Sequence, residues 1–263
     1  PQGSVLSPTL FLIALNDILL SLPRVLTFSV RYSLFADDVA IWVSHKDYKR
    51  AFTIMQMVLD HCTSWCAKWG FFLSAPKLAM MVFKRGPPPL LERTPRINGN
   101  RIPYRKTHKF LGIILDTNLT FRTHVEHIRA RCIKRINVLR CVSGFSWGAD
   151  RKTLQVLYVG LIRSTIEYNC YLFSTLSPTL CRRLEAIQSI CLRLITGAFR
   201  TSPVLALRAD TGIPALEDRR MCLFLRYYYR AKSIANHIAV PAMEAKKPAT
   251  RRPLRKSCFL PIY

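Results

Sequence analysis

Acidic residues are scarce in this chain. Its 263 residues include 15 Asp and Glu against 40 Lys and Arg, which gives a formal net charge of +25 at pH 7. So large an excess of positive charge indicates an acidic partner, either nucleic acid or an anionic membrane surface. The excess is uneven, because residues 82–152 hold 16 basic and 4 acidic residues while residues 1–81 hold 7 and 5.

Long uninterrupted apolar runs are also missing. The most apolar stretch, residues 4–22, contains Pro8, Asn16 and Asp17, whereas a membrane-spanning helix needs about 20 apolar residues with few polar breaks. A signal peptide fits poorly, because no basic segment precedes that stretch. We therefore predict no membrane partner. The chain opens with Pro1 and not with an initiator Met, which favours a fragment of a longer product.

Close cysteine pairs are absent as well. The nine cysteines include no two CxxC units, which argues against a zinc ribbon. Their odd number and scattered spacing favour a reducing, intracellular location, and do not distinguish nucleus from cytoplasm. Cys62 and Cys66 lie one helical turn apart, and we interpret them as small buried hydrophobic residues.

The hydrophobic pattern changes its period near residue 115. Half of the residues are hydrophobic, which excludes a chain disordered throughout and allows one large domain or two smaller ones. Period-two alternation within residues 25–44, 71–83 and 96–115 predicts strands. The predicted helices are residues 7–22, 47–69, 123–142, 150–172, 178–195 and 214–238.

This pattern predicts an α+β fold with three regions. Residues 1–115 form a mixed part with an antiparallel hairpin sheet and helices, and residues 116–244 form an all-helical part. Residues 245–263 form a basic, proline-containing tail that we expect to be extended or mobile. The sequence indicates no oligomeric state.

The residues best suited to chemistry interrupt the first predicted hairpin. Asp37 and Asp38 stand between two apolar alternating runs, so their side chains should emerge at the edge of a rigid sheet. Nucleotidyl transfer by two metal ions needs carboxylates that hold Mg²⁺ ions about 4 Å apart. Adjacent aspartates in a turn are more often simple turn formers, so the pair alone leaves both interpretations open.

The order of the surrounding motifs resembles the reverse transcriptase palm, and most closely that of non-LTR retrotransposons of the jockey kind. PQGSVLSP at residues 1–8 is similar to motif B of that family, and FADD at residues 35–38 to its metal-binding motif C. WGFFLSAPK at residues 69–77 is similar to motif D, and FLGIILD at residues 110–116 to motif E. Residues 183–188 and 192–197 resemble the helical segment that follows the polymerase. The resemblance implies a partial palm over residues 1–115 and a thumb with a C-terminal helical region beyond it.

The resemblance also implies roles for individual residues. Asp37 and Asp38 would bind Mg²⁺, and Lys77 would lie near the triphosphate as a positive charge and a general acid. Gln2 and Gly3 would lie beside the incoming nucleotide and the template base. The primer-grip turn would consist of Phe110, Leu111 and Gly112, which could equally be core residues. The partners implied are an RNA template, a DNA primer and deoxynucleoside triphosphates.

A second group of expected nucleic-acid contacts comes from charge alone. The helix predicted over residues 123–142 and its first flanking residue carry Arg122, Arg129, Lys134 and Arg135, with two further arginines. At about 100° per residue they spread over more than one face. We interpret them mainly as phosphate contacts, with an ordinary solvated surface as the alternative.

The chain departs from the family pattern in ways that weaken the expected activity. Many relatives have Asn where this chain has Ser74 and Thr where it has Leu78, which loosens the assignment of Lys77. Motif A, which supplies another metal-binding aspartate, has no counterpart here. We therefore expect a fragment of an RNA-directed DNA polymerase that is inactive alone. The alternative is a non-catalytic nucleic-acid-binding remnant. An RNA-templated RNA polymerase is less favoured, because those enzymes usually have Gly where this chain has Ala36.

Overall fold

The chain folds as two compact units. A computed structural model describes residues 3–20, 30–73, 77–83, 94–144, 147–170, 176–244 and 257–262. One unit comprises residues 1–119 together with 251–263, and the other comprises residues 120–250. The first unit mixes helices and strands while the second is helical in its described residues, so the fold class is α+β.

The first unit is built around a four-stranded antiparallel sheet. Its strand order is β1-β2-β8-β3, and two further hairpins are formed by β4 with β5 and by β6 with β7. The elements of this unit are α1 (Ser7–Leu20), β1 (Val30–Phe35), β2 (Asp38–Ser44), α2 (Tyr48–Trp69), β3 (Met81–Phe83), β4 (Arg96–Ile97), β5 (Asn100–Arg101), β6 (Thr107–Phe110), β7 (Ile113–Asp116) and β8 (Ser257–Ile262).

The two faces of the sheet bury different clusters because side chains alternate along each strand. Val39, Ile41 and Val43 of β2 face the main core, which includes α1 and α2. Ala40 lies on the opposite face in a smaller cluster with Met81 and Phe83, against which residues of β6 and β7 pack. Strand β2 is therefore covered on both faces.

Helix α2 begins and ends as its sequence predicts. The Asp47 carboxylate accepts a hydrogen bond of 2.9 Å from the Lys49 backbone N–H and so caps the first turn. Gly70 ends the helix in a left-handed conformation with φ of 72°, which a residue with a side chain adopts less readily. This ending directs Phe71 back onto the helix, where its backbone N–H donates to the Cys66 carbonyl.

The described part of the C-terminal tail is extended, which is one of the two alternatives predicted for it. Residues 257–262 form β8 and pair with both β2 and β3. An unpaired strand edge leaves backbone donors and acceptors unsatisfied, and pairing on both sides removes that cost. This part of the tail thus belongs to the first unit. Of the strand predicted over residues 71–83, the described residues form regular strand only in β3.

The second unit confirms the predicted change to helices within its described residues. Its elements are α3 (Arg122–Val142), α4 (Arg151–Leu157), a π-helical segment (Tyr158–Arg163), α5 (Ser164–Glu167), α6 (Pro178–Thr196), α7 (Val204–Thr211), α8 (Leu216–Lys232) and α9 (Val240–Glu244). The short helices α7 and α9 were not predicted, because each has too few residues to show a clear period. Among the helices of the described residues, none is long and apolar enough to cross a membrane.

Polar side chains on α6 fix the start of α8. Gln188 is fully buried, accepts a 2.8 Å hydrogen bond from the Tyr158 hydroxyl, and donates one of 2.8 Å to the Pro214 carbonyl. Glu185 accepts a 2.9 Å hydrogen bond from the Leu216 backbone N–H and pairs with Arg208. The loop before α8 is therefore held by hydrogen bonds in addition to apolar packing.

Candidate active site

The carboxylates of the first hairpin lie at its turn, as predicted. Phe35 pairs with Asp38 as the last step of the β1–β2 ladder, which leaves Ala36 and Asp37 as the two turn residues. Ala36 has a positive φ of 51°, which tight two-residue hairpin turns require at their first central position. A left-handed alanine costs about 1–2 kcal/mol, so the surrounding pairing must hold it in place.

Charge and burial act together on Asp38. Asp37 is exposed at the tip, whereas Asp38 begins β2 and is half-buried. The pKa of Asp38 is raised above its ordinary value, mainly because burial disfavours the charged form and further because the Asp37 carboxylate is nearby. Two like charges held together at a rigid turn are stabilised by a cation between them.

Lys77 lies close enough to Asp38 for its charge to affect the pKa of that carboxyl. Burial and Asp37 raise the pKa of Asp38, whereas the Lys77 ammonium lowers it. Lys77 itself is exposed, and the next residue, Leu78, is buried in the core. Residues 74–76, including Ser74, lie outside the described residues. The structure thus brings together all three residues for which the resemblance implied a catalytic role.

The turn also borders a cavity that the sequence did not predict. Asp37 lines it together with apolar side chains of α1, of α2 and of residues 71–73, and its volume is about 180 Å³. Phe71 stacks on Trp65 with ring centroids 5.5 Å apart. The Trp65 indole N–H donates to the Asp17 carboxylate over 3.4 Å. The helical spacing that includes Trp65 predicted α2, but only folding brings Trp65 and Phe71 to the cavity that Asp37 lines.

The two cysteines of this region are unsuited to metal binding or nucleophilic chemistry. Cys62 and Cys66 are both buried, as predicted from their spacing, and both line the cavity. Burial raises the pKa of Cys62 to about 12 and also raises that of Cys66. A thiol with a raised pKa is protonated at neutral pH and therefore inert.

The residues predicted to contact the nucleotide and the primer are distant in sequence from Asp37 and Asp38. Gly3 lies in an exposed turn before α1 with φ of 96°, and Gln2 lies outside the described residues. Leu111 and Gly112 form the two-residue turn between β6 and β7, with φ values of 45° and 80°. Phe110 packs against the cluster that contains Met81, so it contributes to the core.

The predicted basic helix is α3, and its basic residues have different environments. Arg122, Arg129 and Lys134 are exposed, and Arg129 lies 3.6 Å from the Glu126 carboxylate. Arg135 is half-buried and donates from its guanidinium to the Leu161 carbonyl and the Thr165 hydroxyl. Of the four predicted contacts, Arg135 is therefore the one most engaged within the protein.

The donor set at the hairpin suits a hard cation that also binds substrate phosphates. Carboxylate oxygens are the ligands Mg²⁺ prefers, and one or two carboxylates together with phosphates commonly hold it. Over the described part of the chain, no group of three or more His, Cys, Asp or Glu side chains could hold a metal ion. Asp37 and Asp38 therefore fit Mg²⁺ as part of a site that requires further oxygen ligands.

Comparisons with known proteins relate the chain to polymerases of mobile elements. Residues 1–115 match the family described as reverse transcriptase (RNA-dependent DNA polymerase). The chain is 25% identical over 259 residues to the RNA-directed DNA polymerase from mobile element jockey of Drosophila funebris, covering 95% of this chain and 28% of that protein. It is 27% identical over 265 residues to the jockey polymerase of Drosophila melanogaster, again with 95% and 28% coverage.

A third relative belongs to another element type. Over 172 residues the chain is 29% identical to the retrovirus-related Pol polyprotein from type-1 retrotransposable element R1 of Bradysia coprophila, covering 64% of this chain and 16% of that protein. The chain thus spans about 28% of the length of the jockey relatives. No solved structure matches it. Residues 1–115 are thus similar to the reverse transcriptase family, and 95% of the chain is similar to the RNA-directed DNA polymerases of mobile element jockey.

Proposed function

We propose that this chain forms part of the catalytic centre of an RNA-directed DNA polymerase that copies RNA into DNA by two-metal nucleotidyl transfer. The observation that carries the proposal is the β1–β2 turn, where Asp37 and Asp38 lie together beside the charge of Lys77. The region that contains them is the one that matches the reverse transcriptase family.

Each of these groups has a defined task in the proposed reaction. Asp37 and Asp38 would hold Mg²⁺, and the bound ion would supply positive charge that favours deprotonation of the primer 3′-hydroxyl and offsets negative charge at the reacting phosphate. The sheet keeps both carboxylates fixed, so little reorganisation is needed when substrate binds. Lys77 contributes positive charge toward the triphosphate and a proton for the leaving group. The substrates are an RNA template, a DNA primer and deoxynucleoside triphosphates.

We assign the surrounding features to positioning. In this proposal residues 1–115 act as part of the palm, and the helical unit acts as the thumb with a C-terminal region. Gly3 has no side chain and has open space beside it, so it permits close backbone approach of the nucleotide. The turn of Phe110, Leu111 and Gly112 grips the primer. Arg122, Arg129 and Lys134 follow the phosphate backbone, for which their exposure suits them.

The 263 residues alone are proposed not to extend a primer. Two metal ions carry four positive charges, and Asp37 and Asp38 supply two negative charges at most. The described residues offer no third ligand within one cluster. A further carboxylate must come from elsewhere, as it does in the family pattern, where motif A supplies it.

Primer extension tests both parts of the proposal. The isolated chain should give no product on an RNA template. A chimera that joins it to the region preceding the matched segment in a jockey polymerase should extend the primer with Mg²⁺. Asp37→Ala should abolish that extension, and Asp60→Ala, which removes an exposed carboxylate from α2, should leave it unchanged.

Three outcomes would contradict the proposal. Extension by the isolated chain would show that the hairpin needs no further carboxylate. Extension that survives Asp37→Ala in the chimera would show that another residue binds the metal. A folded chimera that binds RNA and extends nothing would favour a non-catalytic nucleic-acid-binding protein.

A further inference from the structure

Helix α8 buries very little of itself. Of its 17 residues, only Leu216 near its start and Ala231 near its end are buried. Polar contacts secure it instead: Arg219 pairs with Glu167 over 2.8 Å, and Lys232 pairs with Glu244 over 3.3 Å. A helix fixed at both ends presents its middle turns to a partner with little loss of conformational freedom.

The middle of α8 carries an exposed apolar row. Met221, Leu225 and Tyr229 are 58%, 41% and 66% exposed, and they recur every four residues. Residues four apart lie next to one another on a helix surface, so these side chains form one continuous row. Contiguous exposed apolar side chains indicate an interaction site, whereas apolar residues scattered singly over a surface do not.

Two arginines lie beside the Tyr229 end of this row, both on the same side of it. Arg226 and Arg230 are exposed and one turn apart, and Tyr229 lies three residues after the first and directly before the second. At about 100° per residue, Tyr229, Arg226 and Arg230 fall within about 100° of the helix surface, and we name these three residues the α8 face. Its charge is positive, and its tyrosine is 66% exposed.

The arginines of the α8 face form no ion pair in the described structure. Helix α8 carries five Lys or Arg, and its two acidic residues, Glu217 and Asp218, lie in its first turn. Among the ion pairs formed by described residues, none involves Arg226 or Arg230, whereas Arg208 pairs with Glu185 and Arg219 with Glu167. Two cations left unneutralised beside an aromatic ring complement an anionic ligand that also has flat apolar faces.

We propose that the α8 face binds single-stranded nucleic acid, with Tyr229 stacking on a base and Arg226 and Arg230 contacting successive phosphates on one side of the ring. Bases stack on aromatic side chains whatever their sequence, and basic residues beside the ring follow the backbone. Single strands fit better than duplexes because their bases are accessible. Binding at this surface requires no catalysis, so this proposal can hold whether or not Asp37 and Asp38 support polymerisation.

Fluorescence anisotropy with a labelled single-stranded RNA and the whole 263-residue chain tests the proposal. Tyr229→Ala should weaken binding about ten-fold, the effect of one lost stacking contact. Tyr229→Phe keeps the ring and should bind within about two-fold of the parent chain. Tyr168→Ala removes another exposed tyrosine, one that follows Glu167, and should leave the affinity unchanged. Circular dichroism verifies that every variant is folded.

The arginines are tested through the salt dependence of binding. Arg226→Ala with Arg230→Ala should reduce the slope of log affinity against log salt by about 1.4, because each lost phosphate contact on a single strand contributes about 0.7. Arg182→Ala with Arg200→Ala removes equal charge from exposed positions of the same unit and should reduce the slope by less.

Two results would overturn the proposal. One is an RNA affinity unchanged by Tyr229→Ala in a folded protein. The other is a dimer, seen by sedimentation, that Tyr229→Ala dissociates without any change in RNA binding, since the α8 face would then join two copies of the chain. If the two arginine pairs had equal effects on the slope, the α8 face would contribute no more than general charge attraction. That result would also contradict the proposal.

Discussion

The buried pair of Tyr158 and Gln188 offers the sharpest test of how the helical unit is held together. Both side chains are fully buried, and the Tyr158 hydroxyl donates to the Gln188 carbonyl over 2.8 Å. Gln188 in turn donates to the Pro214 carbonyl, two residues before α8 begins. We expect this chain of hydrogen bonds to control both the stability of the unit and the position of the α8 face.

The expected magnitudes follow from which groups lose their partner. Tyr158→Phe leaves one buried oxygen of Gln188 without a donor, which costs about 1–3 kcal/mol. Gln188→Leu leaves both the Tyr158 hydroxyl and the Pro214 carbonyl unsatisfied and should cost about 2–5 kcal/mol. In the double variant only the Pro214 carbonyl lacks a partner. Tyr158→Phe should therefore stabilise the protein when Gln188 is already Leu, by about 1–2 kcal/mol.

Urea unfolding followed by circular dichroism at the helical band measures all four proteins of this cycle. The decisive observation is the sign of the effect of Tyr158→Phe, destabilising in the parent chain and stabilising beside Gln188→Leu. Costs that simply add would refute the reasoning, because they would mean that the two side chains act through packing and not through their shared hydrogen bond.

Three further outcomes are expected. Burial and the Asp37 carboxylate raise the pKa of Asp38, so raising the pH until Asp38 ionises should strengthen Mn²⁺ binding and reduce folding stability. Asp37→Asn should lower the pKa of Asp38 in a carboxyl ¹³C NMR titration, and a pKa that this substitution leaves unchanged would contradict the assigned cause. Since Ala36 has a left-handed backbone, Ala36→Gly should leave thermal stability unchanged or raise it by up to about 1 kcal/mol, while Ala36→Val should lower it by about 1–2 kcal/mol; equal stabilities would rule out strain at the turn. Arg129→Ala should reduce the slope of log affinity against log salt for duplex binding by about 0.9. Arg135→Ala should change that slope little and lower the free energy of unfolding by about 1–2 kcal/mol, because Arg135 is hydrogen-bonded within the protein. The reverse pattern would exchange the roles assigned to the two residues.

Local pattern was sufficient for the elements with a long, clear period. The run from Phe52 to Trp65 predicted α2, and the alternation on either side of Asp37 predicted the β1–β2 hairpin. Asp47 and Gly70 marked the ends of α2 because capping depends on residues adjacent in the chain. The metal-binding hypothesis at Asp37 and Asp38 was likewise available from a four-residue segment and the motifs around it.

Contacts between residues distant in the chain were beyond that pattern. The sequence alone did not place β8 between β2 and β3. The pattern of a short strand does not specify which other strands it pairs with. It did not separate Arg135, held by Leu161 and Thr165, from the exposed Arg129 on the same helix.

The chain by itself therefore determined the order of its helices, the carboxylate turn and the excess of positive charge, because each depends on neighbouring residues or on composition. Folding decided which of those charges remain available. Arg219 meets Glu167 across 52 positions, while Arg226 and Arg230 on the same helix meet no described carboxylate. Ion pairing depends on distance in space, and for residues far apart in the chain no local pattern encodes that distance.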